Sequence, residues 1–156
     1  MNNRGFTLIE LLIVIALIGI LSALATFGFS QYSKKSQITS QTRLLYGDLM
    51  EYRMKALYEK RNWTFVIAAT GYGIYSSSET TVSPVKTVVF KNAIVSNNTT
   101  QIEFDTQGVS NISSKTICVT TPNDAVVDSV VISKTRVQIG KKREGQNCEE
   151  SKIDAQ

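Results

Sequence analysis

The stretch Gly5-Phe6-Thr7-Leu8-Ile9-Glu10-Leu11-Leu12 opens a long apolar segment, and the fold has to accommodate it. From Leu11 to Phe29 there are nineteen residues without a charge, and a helix of about twenty residues crosses the hydrocarbon core of a bilayer. Glu10 is the exception in these surroundings, because a carboxylate there opposes insertion by up to about 3 kcal/mol. The pattern predicts a membrane-spanning helix with one acidic residue near its start.

A cleavable secretory signal peptide is an alternative, since Ala23-Leu24-Ala25 resembles a small-residue cleavage site. The apolar run nevertheless continues through Phe27 and Phe29. A disposable signal also has no reason to carry Glu10 at a cost to insertion. These features favour a helix that stays in the working protein.

The same residues resemble the type III signal of type IV pilins and pseudopilins. In that family a prepilin peptidase cuts after the glycine, here Gly5, and methylates the new N-terminal amine, here on Phe6. The resemblance implies a leader of Met1–Gly5. It also implies that Glu10 pairs with the Phe6 amine of a neighbouring subunit, because a carboxylate in an apolar filament core requires a positive partner.

The resemblance further implies where the chain resides and what it contacts. Family members are single-pass proteins of the bacterial inner membrane, with a cytoplasmic N-terminus and a periplasmic globular domain, before they enter a pilus or pseudopilus filament. The expected partners are other pilin or pseudopilin subunits, the prepilin peptidase and the inner-membrane assembly platform. No cofactor and no metal is expected.

Helical character is predicted to continue beyond the apolar run, because Gln31–Arg61 contains no proline and a single glycine, Gly47. Apolar residues recur there at spacings of seven, four, three and four, which is one stripe of an amphipathic helix. We expect this stripe to pack on a globular domain. Its members are Ile38, Leu45, Leu49, Tyr52 and Ala56, widened by Tyr46, Met50 and Leu57.

The pattern changes to short alternating strands after Asn62, separated by Asn, Ser, Thr and Gly turns, which favours an antiparallel sheet. The predicted fold is α+β, with a long N-terminal helix packed on a C-terminal antiparallel sheet domain, the pilin fold. The predicted divisions are 1–5 leader, 6–29 membrane half of the helix, 30–61 amphipathic half and 62–156 globular domain. The predicted strands are Trp63–Ile67, Ile74–Tyr75, Lys86–Val95, Gln101–Asp105, Lys115–Thr121 and Ser129–Ile139.

Three later segments resemble the H-type minor pseudopilins and their minor-pilin relatives. They are the helix-to-strand junction Asp48–Thr64, the segment Phe104–Gly108 and the strand Val130–Ser133. In that family a Gly-Arg pair usually follows this strand, and here Thr135-Arg136 stands in its place. The resemblance implies a minor subunit in an initiating or tip complex of a type IV pilus-like filament, or a minor pseudopilin of a type II secretion system.

Composition argues against an enzyme. The chain has no histidine, so it lacks the commonest general base and metal ligand. Its two cysteines, Cys118 and Cys148, have 29 residues between them and are too few for a cysteine-rich metal site. Outside the cytoplasm a disulfide is expected, worth roughly 3–4 kcal/mol in the chain-entropy model, and two separate buried thiols are the alternative.

A basic run near the C-terminus gives a second functional hypothesis. Some minor pilins of this family bind DNA through a basic C-terminal loop, and such residues could contact phosphates here. A solvated turn, neutralised by the acids that follow, is the alternative. Asp124 and Asp128 offer oxygen ligands of the kind that calcium prefers, but two carboxylates are too few to predict a site. The basic residues are Lys134, Arg136, Lys141, Lys142 and Arg143.

Overall fold

The computed structural model describes residues 6–97 and 101–156, and for residues 24–28 it describes the backbone alone. Helix α1 runs Leu8–Glu59, and a short 3-10 turn covers Glu150–Lys152. The described strands are β1 (Trp63–Ala68), β2 (Gly71–Tyr75), β3 (Lys86–Val89), β4 (Ile94–Ser96), β5 (Gln101–Phe104), β6 (Ser114–Val119), β7 (Ser129–Ser133), β8 (Val137–Lys142) and β9 (Ile153–Ala155).

The chain forms two compact units, 1–34 and 35–156, so α1 contributes to both of them. The predicted leader Met1–Gly5 lies outside the described residues. The predicted membrane span Leu11–Phe29 includes residues 24–28, whose side chains also lie outside that part. Among the helices formed by described residues, none has the combination of length and hydropathy needed to cross a membrane.

The predicted helical stripe is confirmed as the buried face of α1 in the second unit. Each of its five members is at most 5% exposed, and Tyr46 and Met50 pack against the same core. The helix ends at Glu59, where Lys60 adopts a left-handed φ of 53° and turns the chain toward β1. A left-handed residue directly after the last helical turn is a common way to end a helix.

Two antiparallel sheets follow the helix, whereas the sequence pattern predicted one. The first, sheet A, has the strand order β3-β2-β1-β5, and the second, sheet B, has the order β4-β6-β7-β8-β9. Within sheet A, alternate residues of β1 face the core, so Trp63, Phe65 and Ile67 are at most 4% exposed. The rings of Tyr52 and Trp63 meet edge to face with centroids 4.7 Å apart, which joins α1 to this sheet.

Two predicted strands are wrong in extent. The segment predicted as Lys86–Val95 is two strands in different sheets, because the chain turns at Lys91 and Asn92 and Gln41 of α1 bonds the Asn92 backbone. The segment predicted as Ser129–Ile139 is a hairpin, closed by a bond from Ser133 N to Arg136 O of 2.7 Å. The three-residue strand β9 is too short to show a period, and the sequence pattern missed it.

An ion pair between a buried carboxylate and a partly exposed lysine fastens α1 to sheet A. Asp48 is 4% exposed and accepts bonds from the Tyr72 hydroxyl at 2.6 Å and from Lys86 Nζ at 2.7 Å. Burial, together with the bond to Asp48, raises the pKa of Tyr72 above its usual value, so its hydroxyl remains a donor. Removing one partner of such a pair leaves a buried charge uncompensated, at a cost of about 3–5 kcal/mol.

Lys115 provides a test of the packing in sheet B. It is 1% exposed on β6 and shares its side of the strand with Ile117 and Val119. Burial lowers the pKa of Lys115 from 10.5 to about 8. Between these two pKa values the unfolded chain holds a proton on this lysine that the folded chain has released. The free energy of unfolding therefore rises with pH through this group across that interval.

We expect Lys115→Met to lack this rise. The difference in unfolding free energy between wild type and variant should change by about 1.4 kcal/mol per pH unit between the two pKa values. Urea unfolding of the detergent-solubilised chain, followed by fluorescence of the single tryptophan Trp63, measures it. Lys91→Met, at an exposed lysine, is the control. Parallel pH profiles for wild type and Lys115→Met would contradict the assignment.

Candidate functional site

The N-terminal part of α1 presents apolar side chains on every side of the helix. From Phe6 to Leu21 the large apolar residues are 47–84% exposed within the chain. Burial of apolar surface is favourable by roughly 25 cal/mol per Å². This segment therefore requires surroundings that the described chain does not itself supply.

A capping box begins α1. The Glu10 carboxylate accepts bonds from the backbone N–H and the hydroxyl of Thr7, both at 3.3 Å. In return the Glu10 backbone N–H donates to the Thr7 hydroxyl at 3.4 Å. Thr7-Leu8-Ile9-Glu10 is the Ser/Thr-x-x-Glu pattern of such boxes, so the sequence itself carries the signal for this cap.

The capping box holds the carboxylate where the resemblance expects a positive partner. Carboxylates are favourable at helix N-termini because the unpaired backbone N–H groups carry partial positive charge. Phe6 directly precedes the box and is 81% exposed, whereas Gly5 lies outside the described residues. An amine created on Phe6 would lie four residues before Glu10 in the sequence.

Cys118 and Cys148 form a disulfide, with their Cα atoms 5.9 Å apart. Cys118 is fully buried on β6, and Cys148 lies in the segment between β8 and the 3-10 turn. The pairing confirms the predicted disulfide and excludes two separate thiols. It fixes the middle of the C-terminal segment to sheet B, while β9 fixes its end by pairing with β8.

The basic run is divided by the fold. Lys134 and Arg136 lie at the exposed turn between β7 and β8, whereas Lys141 and Lys142 lie at the far end of β8 with Arg143 just beyond. Five residues of extended strand separate the two groups by about 17 Å. The alternative of a solvated turn does not hold for Lys141 and Lys142, because both pair with β9.

The ammonium of Lys141 is held by three oxygen atoms. It donates to Asn123 O at 2.7 Å and Asn123 Oδ1 at 3.1 Å, and it lies 3.1 Å from Asp128 Oδ2. Asp128 is 2% exposed, and its other oxygen accepts from the Ser129 hydroxyl and the Lys142 backbone N–H. Lys141 therefore neutralises a buried carboxylate and closes the loop that precedes β7.

Arg143 is likewise engaged within the chain. Its Nη2 lies 2.8 Å from Asp154 Oδ1, and the Arg143 guanidinium lowers the pKa of that carboxyl. The concentrated positive patch on which the DNA hypothesis relied is thus divided in two, and two of its members face carboxylates. Of the pair considered for calcium, Asp128 has a lysine as its cation. Across residues 6–97 and 101–156, no group of three or more potential metal-ligating side chains is found.

The N-terminal segment matches a known family description. The family called prokaryotic N-terminal methylation motif matches residues 1–26. The type IV major pilin protein PilE of Neisseria gonorrhoeae is 33% identical over 112 residues, covering 68% of this chain and 63% of that protein. The fimbrial protein EcpC of Eikenella corrodens is 41% identical over 80 residues, covering 49% and 52%. The chain thus spans between about half and just under two thirds of these curated relatives.

The fold of the chain matches that of a solved structure. The type IV minor pilin FimU of Pseudomonas aeruginosa superposes with a TM-score of 0.57, covering 79% of this chain and 96% of that one, at 15% identity. That likeness establishes the fold. Together, the methylation motif and the helix-on-sheet architecture define a type IV pilin-like protein. The chain is similar in sequence to type IV pilins, and its fold resembles that of a minor pilin.

The engagement of Lys141 predicts a structural role for this residue. Lys141→Gln should lower the free energy of unfolding by about 3 kcal/mol, because it leaves the Asp128 carboxylate buried without its cation. Lys142→Gln, next in the same strand, should cost less than about 0.5 kcal/mol, since its backbone N–H is kept. Urea unfolding monitored by Trp63 fluorescence compares them. Equal losses for the two variants would contradict the assignment.

Proposed function

We propose that the chain is a minor subunit of a type IV pilus-like filament and acts structurally, without catalysis. The observation that carries the proposal is the Thr7–Glu10 capping box, which holds a carboxylate beside Phe6 inside a segment that matches the methylation motif. In a filament, neighbouring subunits would bury this exposed apolar helix and supply a positive charge for its one acidic residue.

The proposed sequence of events begins in the bacterial inner membrane, with the N-terminus cytoplasmic and the disulfide-bonded domain periplasmic. Prepilin peptidase removes Met1–Gly5 and methylates the Phe6 amine. An inner-membrane assembly platform then adds the subunit to a filament. Glu10 pairs with the Phe6 amine of a neighbour. A wrong axial stagger leaves both charges unpaired in an apolar core, and this penalty selects the correct stagger.

A minor role is favoured by the globular half rather than by the N-terminus. FimU, the solved structure with the similar fold, is a minor pilin, whereas PilE, with the similar sequence, is a major pilin. A minor pseudopilin of a type II secretion system remains the alternative assignment, because both classes share the processed helix. Quantifying the chain against the major subunit in sheared surface filaments distinguishes a rare pilus component from a secretion component that is absent from them.

DNA uptake is a weaker second function. Its remaining support is the exposed Lys134–Arg136 turn, since Lys141 and Arg143 have carboxylate partners within the chain. A mobility-shift series with duplex DNA at increasing salt tests it, because each neutralised phosphate adds about −0.9 to the log–log slope.

The first prediction from this proposal concerns processing. Intact-mass analysis of the chain purified from membranes should show loss of Met1–Gly5 and one added methyl group on Phe6. Gly5→Leu should leave the precursor uncut, because it places a bulky side chain directly before the proposed cleavage point. An uncut wild-type chain, or one cut after Ala25, would refute the assignment.

The second prediction concerns Glu10. Glu10→Val should still insert, because loss of a charge makes insertion easier. Its incorporation into filaments should fall by about tenfold or more, since a deficit of about 1.4 kcal/mol is already tenfold. Immunoblots of sheared filaments against membranes give the ratio, and Glu144→Gln, at an exposed carboxylate, is the control. Undiminished incorporation of Glu10→Val would contradict the proposed pairing.

A further inference from the structure

Strand β3 is an edge of sheet A, and half of its backbone groups are unused. Phe90 N donates to Thr70 O at 2.8 Å, and in this register Val88 and Lys86 also bond toward β2. In an antiparallel ladder the alternate residues point the other way. Thr87 and Val89 therefore direct their N–H and C=O groups away from β2, and neither has a hydrogen-bond partner on that side in the described residues.

The side chains of this edge give it little protection against pairing. Edge strands are commonly guarded by charged side chains. Between Thr80 and Phe90 the one charged residue is Lys86, and its ammonium pairs with the buried Asp48. The exposed Lys91 follows the strand and borders the helix-side groove. The exposed residues of this stretch are uncharged, and three of them are valines: Val82 is 55% exposed, Val85 58% and Val89 79%.

A groove lies on each side of Val89. On the helix side, a groove of about 310 Å³ is lined by Ser40, Leu44, Val89 and Phe90 among others. On the outer face of sheet A, a groove of about 340 Å³ passes over Gly73 between Tyr75, Pro84 and Thr87. A Cβ at Gly73 would lie 3.3 Å from the Tyr75 ring and 3.5 Å from Pro84, so the glycine keeps this groove open.

We propose that β3 accepts an extended, uncharged segment of a neighbouring pilin-like subunit as an added antiparallel strand. The inference rests on the proposed filament function and names a contact within it. A strand supplies the outward backbone groups of Thr87 and Val89 with partners, and its alternate side chains enter the two grooves, as in strand addition to a sheet edge. A helix would cover the valines and leave those backbone groups without partners.

Photo-cross-linking in cells tests the contact with the full chain. A benzoylphenylalanine is placed at Val89, and in a matched strain at Val126, which is 48% exposed in the loop before β7. We expect an adduct from Val89 at least fivefold more abundant than from Val126. Mass spectrometry should identify a second protein with an N-terminal methylation motif, joined through an uncharged segment outside its N-terminal helix.

A backbone variant tests the strand pairing itself. Thr87→Pro removes an N–H that the fold does not use, and proline is tolerated where the N–H faces away from a sheet. It should lower the Val89 adduct about fivefold, whereas Thr87→Ala, which keeps the N–H, should not. Trp63 fluorescence and the intact Cys118–Cys148 bond verify that each variant is folded.

Three results would overturn the inference: a Val89 adduct no stronger than that of Val126, an adduct through the partner's N-terminal helix, or an adduct with a second copy of this chain. Each result is interpreted only for purified samples of the chain whose intact mass shows cleavage after Gly5 and methylation. Unprocessed chain would instead mean that the proposed function has failed. The two failures are thus distinguishable in one sample.

Discussion

One face of helix α1 must be buried against the two sheets, and the rest of the second unit is arranged around that requirement. The side chains at this face are at most 5% exposed, and β1 supplies the aromatic rings of Trp63 and Phe65 that meet Tyr52. Helix α1 also packs so closely on the loop after β5 that it restricts which residue can stand there. Gly108 has a φ of +69°, and a Cβ there would lie 2.9 Å from Leu57, while Arg53 Nε donates to Gly108 O at 2.8 Å.

Sequence periodicity predicted the elements that bury a single face. The stripe from Ile38 to Ala56 and the alternation in β1 were both visible, because burial repeats with the period of the element. Periodicity could not show where a strand ends and its chain passes to another sheet. Lys86–Val95 looks continuous in composition, but the turn at Asn92 depends on Gln41, which lies 51 residues away.

The candidate functional residues likewise include some that the sequence could indicate and one whose contacts it could not. Cys118 and Cys148 could be paired from composition and compartment, and Phe6 and Glu10 came from a local motif. The contacts of Lys141 could not be predicted from the sequence. Its position beside other basic residues suggested a positive patch, whereas β-strand geometry directs its side chain toward Asn123 and Asp128. Net charge therefore overstated the positive surface, since cations that match buried carboxylates are not available to an external partner.

Two carboxylates are buried among the described residues, Asp48 and Asp128. Each is matched by a lysine on a strand, and this has a consequence for register. Buried ion pairs contribute little net stability, but a misplaced partner is costly. A slip of β3 by one residue would turn Lys86 outward and leave Asp48 uncompensated. The pair thus fixes which face of β3 points toward the core. It also holds the Lys86 ammonium at Asp48, where it does not protect the edge of the strand.

The capping box bears on which charge drives subunit pairing in the proposed filament. Before assembly the Glu10 carboxylate already has two donors from Thr7, and such caps are worth about 1 kcal/mol. An amine on Phe6 gains no comparable donor–acceptor set from the box, because both Thr7 groups are directed at the carboxylate. An unpaired ammonium in an apolar environment costs several kcal/mol. The larger penalty therefore falls on the amine, so the need to neutralise Phe6, more than the need to satisfy Glu10, would set the axial stagger between neighbours.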